Sequence, residues 1–311
     1  MNLNEVRTLI TQLHERMSPQ VIEAIEREIV RLGPDALRVI LFFPEALVHP
    51  PARRRLARLA TEMDHAKVLP VLVEALSHPD WRIFQITADA LALMGAEPRD
   101  ALAANLRDCQ SAVGRAHTLF CIHRLADPFH WLGIGDRTLV PLIAGAAGDE
   151  SAEVRATAVE SLSKCEALAG RDEAQAEAYA RAVTAALDDA DETVREQAVK
   201  ACGRMFDARC GDALSRPAVD RLILMLPAVA GEARADAVRA LERIGDIRAA
   251  GAVRAMLGDR DPYVRWSAAV ALRRLWEMGN ATALAAAVND PDPVVAAAAR
   301  ETLAQCQIRN S

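Results

Sequence analysis

The sequence predicts an all-α protein, a right-handed solenoid of about six to nine antiparallel helix pairs. Three observations lead to this expectation. Similar turns open helical stretches at 151–155, 191–195, 261–265 and 292–295. An apolar face of helical period follows each turn. Only 4% of the residues are aromatic, and the apolar content relies on Ala, Leu and Val, which suits close packing of helices. A repeat of this size is the signature of stacked helical units.

One apolar anchor residue, eight positions after the Val of each turn, marks the repeats. The anchors are Ile29, Ala60, Leu91, Ile122, Leu162, Cys202, Leu241, Leu272 and Leu303. The first three intervals and the last two span 31 residues, and the three intervals between them span 39 or 40. Each unit is expected to contain two antiparallel helices, of which the second carries the anchor.

In chain order, residues 1–74 hold weakly matching N-terminal repeats and residues 75–306 hold clear ones. An aromatic, glycine-bearing loop is inserted at 127–136. Because repeat arrays grow by stacking, the whole chain 1–311 is expected to form a single solenoid. The C-terminal helix is Ala-rich and apolar, which suggests weak self-association through its outer side.

Within each second helix, one face is predicted to be core. Val264, Ala268 and Leu272 follow a spacing of four, which keeps them on one side of a helix. Asp residues before the helices suit N-caps, and Pro262 suits the first helical position. Glycines are expected to end helices in the left-handed conformation. These are Gly95, Gly245 and Gly279.

A family resemblance follows from these residues. The pattern Asp-Pro-x-Val-Arg-x-x-Ala-x-x-Ala-Leu-x-x-Leu at 261–275 resembles the short HEAT-like repeat of the phycobilisome-lyase type. The resemblance implies a ladder in which a turn Asp and a helix Arg bond between repeats, and Asp191/Arg195 and Asp261/Arg265 match it. Ser151 replaces the Asp in one turn. The motif specifies architecture rather than activity, because one fold hosts many functions.

Charge and composition exclude several classes of protein. The chain holds 37 basic and 43 acidic residues, a net charge of -6, which disfavours a nucleic-acid or anionic-membrane partner. No apolar run is long enough to cross a bilayer. Residues 1–16 lack a signal-peptide core, so the cytoplasm is the expected location. Six Cys without a pairing motif indicate buried thiols in a reducing compartment.

The candidate binding surface is the side of each second helix opposite the core, which the resemblance places on the concave side of the solenoid. The partner-binding candidates are Arg54, Arg58, Gln85, Asp89, Phe120, His123, Glu160, Lys200, Arg239, Trp266 and Arg273. Mixed charge with Trp and Arg favours protein recognition. The alternative is an ordinary solvated helix face. The Arg53–Arg55 run with Arg58 allows the same two interpretations, with an acidic group or a phosphate as the specific partner.

The segment 109–137 is the most unusual part of the chain. Phe129, His130 and Trp131 lie in its loop and are further candidates for partner contact. His117 and Cys121 are four residues apart and could face one metal, but no further ligand motif accompanies them, which favours packing. No metal site, cofactor or catalytic residue is predicted.

The first functional hypothesis is therefore a non-catalytic scaffold or adaptor that binds a protein partner of unknown identity on the concave helix face. The resemblance also allows a phycobilin-lyase-like chromophore lyase or chaperone. A further alternative is a HEAT-like DNA glycosylase, which needs a cationic groove. Deoxyhypusine hydroxylases carry repeated His-Glu pairs, of which this chain has one, His14-Glu15.

Overall fold

The fold was obtained as a computed structural model, and it is all-α as predicted. The residues that it describes are 8, 18–42, 50–127, 135–164, 173–207, 209 and 211–309. These residues form seventeen α-helices and several short 3-10 turns, without a strand among them. None of the described helices is long and apolar enough to cross a membrane.

The helices alternate in two sets. The second helices, which carry the anchors in their length or directly after their last residue, are α1 (Pro19–Leu32), α3 (Pro50–Thr61), α5 (Trp81–Leu93), α7 (Ala112–Ala126), α9 (Ala152–Lys164), α11 (Glu192–Met205), α13 (Gly231–Ile244), α15 (Pro262–Ala271) and α17 (Pro293–Arg309). The first helices between them are α2 (Pro34–Phe42), α4 (His65–Ala75), α6 (Arg99–Asp108), α8 (Val140–Ala146), α10 (Glu173–Ala185), α12 (Arg216–Met225), α14 (Ala250–Ala255) and α16 (Met278–Ala287).

The anchor residues define the core. All of them are buried except Leu303, which is half-buried. Val264, Ala268 and Leu272 are fully buried on one face, which confirms the predicted periodicity. The weakly matching N-terminal anchors Ile29 and Ala60 are buried as completely as the later ones. Helical spacing of small and branched apolar residues therefore locates the core even where the turn motif is absent.

The chain divides into two compact units, Met1–Ser161 and Leu162–Ser311. In the first unit, α1, α3, α5 and α7 pack side by side in one layer, and α2, α4 and α6 form a second layer. In the second unit, α11, α13, α15 and α17 form the corresponding layer, and each is packed by a first helix. One solenoid over residues 1–311 stays a prediction.

The helix ends follow local chemistry. The side chain of Asp191 accepts hydrogen bonds from the N–H groups of Thr193 and Val194, and Asp261 accepts one from Tyr263 N–H, as expected for N-caps. Gly245 follows α13 with φ of 77°, in the left-handed region. The expectation for Gly279 is wrong. Gly279 is the second residue of α16, which begins directly after the extended residue Glu277.

The predicted ladder exists, but its acid is a different residue. The turn aspartates Asp191 and Asp261 cap their own helices. The carboxylate that pairs with Arg265, Arg234 or Arg115 lies two residues before the turn position of the next repeat. Arg265 donates from Nε and Nη2 to the two oxygens of Asp290, at 2.8 Å each. The expectation that a turn Asp supplies the ladder carboxylate is therefore wrong for Arg265. Arg195 Nη1 donates to the carbonyl oxygens of Asp189 and Ala190.

The corrected ladder explains the departures from the motif. Arg234 pairs with Asp259 although its own turn has no Asp, because the acid comes from the following repeat. Arg115 donates to Asp149 from Nε at 2.9 Å and from Nη2 at 2.8 Å. Burial alone would raise the pKa of Asp149, but the bonds from Arg115 and from the Ser151 N–H outweigh it and lower that pKa. Each rung thus ties two repeats together.

Candidate functional site

The outward face of the second helices carries most of the predicted partner-binding residues. We call this face the ridge. Its exposed members are Arg54, Arg58, Phe120, Lys200 and Arg273, and its half-buried members are Gln85, Asp89, Glu160, Arg239 and Trp266. His123 is a correction: it is buried, and its ring packs edge-on against Phe120 on the same helix. Phe129, His130 and Trp131 lie outside the described residues.

An aromatic cluster covers the ridge of the first unit on α5 and α7. The ring of Phe84 lies 5.4 Å from that of Trp81 and 5.3 Å from that of Phe120, in tilted and edge-on geometry. Phe84 is buried, but Trp81 is 58% exposed and Phe120 38% exposed. A buried ring therefore holds two exposed rings in fixed positions, an arrangement suited to contact with another apolar surface.

His117 and Cys121, on the same helix, are structural. The His117 ring stacks on Phe84 at 4.0 Å, and its Nδ1 lies 2.8 Å from the carbonyl oxygen of Leu76. Burial lowers the pKa of His117 and raises the pKa of the Cys121 thiol to about 12. Among the described residues, no group of His, Cys, Asp and Glu is arranged to hold a metal ion. The stacking of His117 on Phe84 and its contact with Leu76 favour the packing interpretation of this pair.

A buried guanidinium supports the aromatic cluster. Arg124 Nη2 donates to Asp89 Oδ1 at 2.9 Å, and the side chain of Arg124 is only 7% exposed. Its guanidinium carbon also lies 5.9 Å from the centroid of the Phe120 ring. Asp89 is thus committed to an internal pair that orients Phe120, rather than being free to meet a partner.

The N-terminal basic patch is also partly neutralised. The buried carboxylate of Glu26 accepts from Arg58 Nη2 at 2.8 Å and from Arg55 Nη1 at 3.4 Å. Arg58 also lies 3.5 Å from Glu62. The pairs with Glu26 join α1 to α3, so the structure favours the packing role for Arg58. Arg54 is exposed.

In the second unit, aromatic and basic side chains combine on the ridge. The rings of Tyr263 and Trp266 stack at 5.6 Å with an interplanar angle of 11°. The Arg239 guanidinium lies over the Tyr263 ring, 5.3 Å from its centroid, and donates to the Tyr263 hydroxyl. Trp266 and Arg239, selected on different repeats from sequence alone, therefore belong to one cluster through a residue that was not selected.

A basic groove lies beside this cluster, between α11 and α13. It has a volume of about 290 Å³. Its lining residues are Val199, Lys200, Gly203, Arg204, Asp236, Arg239, Ala240 and Arg243. Four of these are cations and one is an acid, in a chain whose net charge is -6. Lys200 and Arg239 were predicted site residues, whereas Arg204 and Arg243 were not.

Two exposed aromatics were missed by the sequence reasoning. Trp81 and Tyr263 lie in the first turns of α5 and α15, and neither was among the residues selected as opposite the core face. Tyr263 is 43% exposed and is part of the second-unit cluster. The available signal was the presence of large aromatics in a chain where only 4% of residues are aromatic.

Comparison with known proteins identifies the repeat type. Among solved structures, Escherichia coli YibA matches 94% of this chain and 98% of its own length at 16% identity, with a TM-score of 0.56. A chain of the Kap95:Nup1 complex matches 97% of this chain at 13% identity and a TM-score of 0.54, and this chain covers 44% of it. A chain of the CpcE–CpcF phycocyanin lyase complex of a Nostoc species matches 57% of this chain and 99% of its own length, at 20% identity and a TM-score of 0.46.

The likenesses to YibA and to the Kap95:Nup1 chain show the fold. A match to the HEAT repeat family confirms the HEAT-like resemblance drawn from the turn motif. No curated protein sequence matches the chain. The sequence profile of the HEAT repeats matches residues 45–123 and 219–304, together just over half of the 311 residues. The chain therefore belongs to the HEAT repeat family.

Proposed function

We propose that the protein is a non-catalytic adaptor that binds a protein partner on the ridge of its second helices. The observation that carries this proposal is the pair of exposed aromatic clusters, Trp81 with Phe120 in one unit and Tyr263 with Trp266 in the other. Each cluster is fixed by a buried ring or by an Arg contact rather than being free to rotate. Rigid aromatic side chains beside Arg are the residue types that dominate the energetics of protein interfaces.

The packing beneath the ridge supports the same function. Ladder pairs such as Arg265–Asp290 lock one repeat to the next, so the exposed side chains lie at fixed spacings. Preorganised side chains lose less conformational entropy when a partner binds. Repeat arrays use such extended surfaces for recognition.

The test is partner capture from the native cell with matched variants. The ridge variant carries Trp266→Ala and Arg273→Ala. The control carries Arg181→Ala and Arg221→Ala on the first helices α10 and α12, where both arginines are exposed and paired with acids. A protein retained by the wild type and the control but lost by the ridge variant supports the proposal. Retention of every captured protein by the ridge variant contradicts it.

Two enzyme alternatives have direct assays. Transfer of a bilin to a phycobiliprotein in a mixing assay would replace the adaptor by a chromophore lyase. Retardation of DNA at low salt that depends on Arg239 and Arg273 would instead favour the glycosylase alternative. No described residue of this chain distinguishes the lyase from an adaptor, so the likeness to the lyase complex gives it no further support.

A further inference from the structure

The groove between α11 and α13 exists because two small residues meet at the helix crossing. A Cβ at Gly203 would lie 3.1 Å from the Cα atom and 3.3 Å from the Cβ atom of Ala240. The two helices therefore approach almost to backbone contact. With only backbone and one methyl group at the crossing, the larger side chains on either side form walls rather than a filled core.

Cations form both walls of the groove. Lys200 and Arg204 are four residues apart on α11, and Arg239 and Arg243 are four apart on α13, so each pair lies on one helix face. All four line the same cavity of about 290 Å³. Lys200 has 45% of its side-chain surface exposed, Arg239 35% and Arg243 48%. Their charged ends are thus within reach of a ligand in solution.

Lys200, Arg239 and Arg243 share their acids with one another or with a further cation. Asp236 pairs with two of these cations: it lies 3.9 Å from Lys200 Nζ and accepts a hydrogen bond from Arg239. Asp207 likewise pairs with two arginines and lies 2.9 Å from Arg243 Nη2 and 3.2 Å from Arg274 Nη2. One carboxylate shared by two cations leaves one positive charge uncompensated at each position.

A third acid does not remove the excess. Burial raises the pKa of Glu242, while the nearby Arg273, Arg274, Arg239 and Arg243 act in the opposite direction. Counting this acid as charged, five cations face three acids here. The cations are Lys200, Arg239, Arg243, Arg273 and Arg274. The region is therefore positive although the chain as a whole is negative.

We propose that this groove binds an acidic segment of the partner protein, with its carboxylates against the groove arginines and one apolar or aromatic side chain on the Tyr263–Trp266 stack. This inference rests on the proposed adaptor function and specifies the chemistry of its partner. Guanidinium groups offer paired donors that match a carboxylate. The positive charge lies in and beside one short groove, whose lining includes Asp236 and whose Arg243 pairs with Asp207. A nucleic-acid backbone would instead need a longer cationic track.

The test uses a fluorescein-labelled peptide of alternating Glu and Leu residues with one Trp, and the same peptide with every Glu replaced by Gln. Binding to the full chain is measured by fluorescence anisotropy at low and physiological salt. We expect the Glu peptide to bind more weakly as salt rises and the Gln peptide not to bind. The groove variant Lys200→Gln with Arg243→Gln should lose at least about tenfold in affinity.

Matched variants keep this test independent of folding. Arg181→Gln with Arg221→Gln removes the same charge from another cavity and should leave affinity unchanged. The single variant Lys200→Gln, at an exposed position, should lose affinity in the same direction with an unchanged circular dichroism spectrum. Equal binding of the Glu and Gln peptides, equal loss in the control, or no binding of the Glu peptide at low salt overturns the inference.

A labelled single-stranded oligonucleotide gives the competing outcome. If it binds more tightly than the Glu peptide, and the groove variant abolishes that binding, the groove is a nucleic-acid site and the peptide inference is wrong. The adaptor proposal fails separately. If a partner is captured through the ridge but the Glu peptide does not bind, only the acidic-segment inference is contradicted. If the peptide binds but no protein is captured in a ridge-dependent way, the adaptor proposal is contradicted.

Discussion

Arg265 is the residue at which the inter-repeat ladder can be tested most directly. It extends from α15 to Asp290, just before α17, with two bonds of 2.8 Å. Its Nη1 also donates to the carbonyl oxygens of Asp259 at 3.0 Å and Arg260 at 3.2 Å. One side chain therefore satisfies two repeats at once. We consider the substitution Arg265→Ala.

The expected loss follows from burial. The side chain of Arg265 is 13% exposed and that of Asp290 is 7% exposed. Removing one member of a buried pair leaves the other charge without its partner, at a cost of about 3–5 kcal/mol. After the substitution, the Asp292 N–H at 2.8 Å still donates to Asp290. Since water can reach the vacated site, we expect a loss near the lower end, about 3 kcal/mol.

The assay is urea denaturation followed by helical circular dichroism, with Arg273→Ala as the matched control. Arg273 lies two residues after the end of α15, is exposed, and makes a 3.3 Å contact with Gln305. Its removal should change the free energy of unfolding by no more than about 0.5 kcal/mol. The double variant Arg265→Ala with Asp290→Ala should cost less than the two single losses added together.

Two results would refute this reasoning. If Arg265→Ala costs no more than Arg273→Ala, the ladder does not stabilise the array. If the two ladder substitutions are strictly additive, Arg265 and Asp290 are not coupled, and the pairing across repeats is not the source of the loss.

Three further outcomes are expected. Leu272→Ala should lower the free energy of unfolding by about 2–5 kcal/mol because it leaves a cavity in the core. Trp266→Ala should weaken partner capture without destabilising the fold. Equal destabilisation of the two variants in urea would contradict the placement of Leu272 in the core and Trp266 on the ridge. Cys121 and Cys202, whose thiol pKa burial raises to about 12, should resist iodoacetamide at neutral pH until the chain is denatured, as read by peptide mass spectrometry. The hydrogen bond from Arg82 lowers the pKa of Asp80 to about 2, below its unfolded value. This contribution to stability is therefore present above about pH 4 and is lost as the pH falls to about 2. Asp80→Asn should flatten that part of a plot of melting temperature against pH, and an unchanged plot would show that the pair does not stabilise the fold.

The sequence was sufficient for the core because burial in a helix depends on local spacing. The interval of 31 residues placed Ile29 and Ala60 correctly although their turns carry no motif. The same periodicity placed Trp266 and Lys200 on the outward face. It failed at His123, which is buried and packs edge-on against Phe120, because spacing along one helix does not show which side chains cover a position.

Sequence by itself determined that this chain is a stack of helix pairs and which side of each second helix is core. Periodicity is a property of a single helix, so the sequence of that helix alone contains it. Tertiary structure alone decided which charges meet. Arg265 bonds to Asp290 rather than to its own turn Asp261, and the crossing of Gly203 with Ala240 brings the cations of α11 and α13 to one groove. Such pairings depend on the offset between neighbouring repeats, which no single repeat encodes.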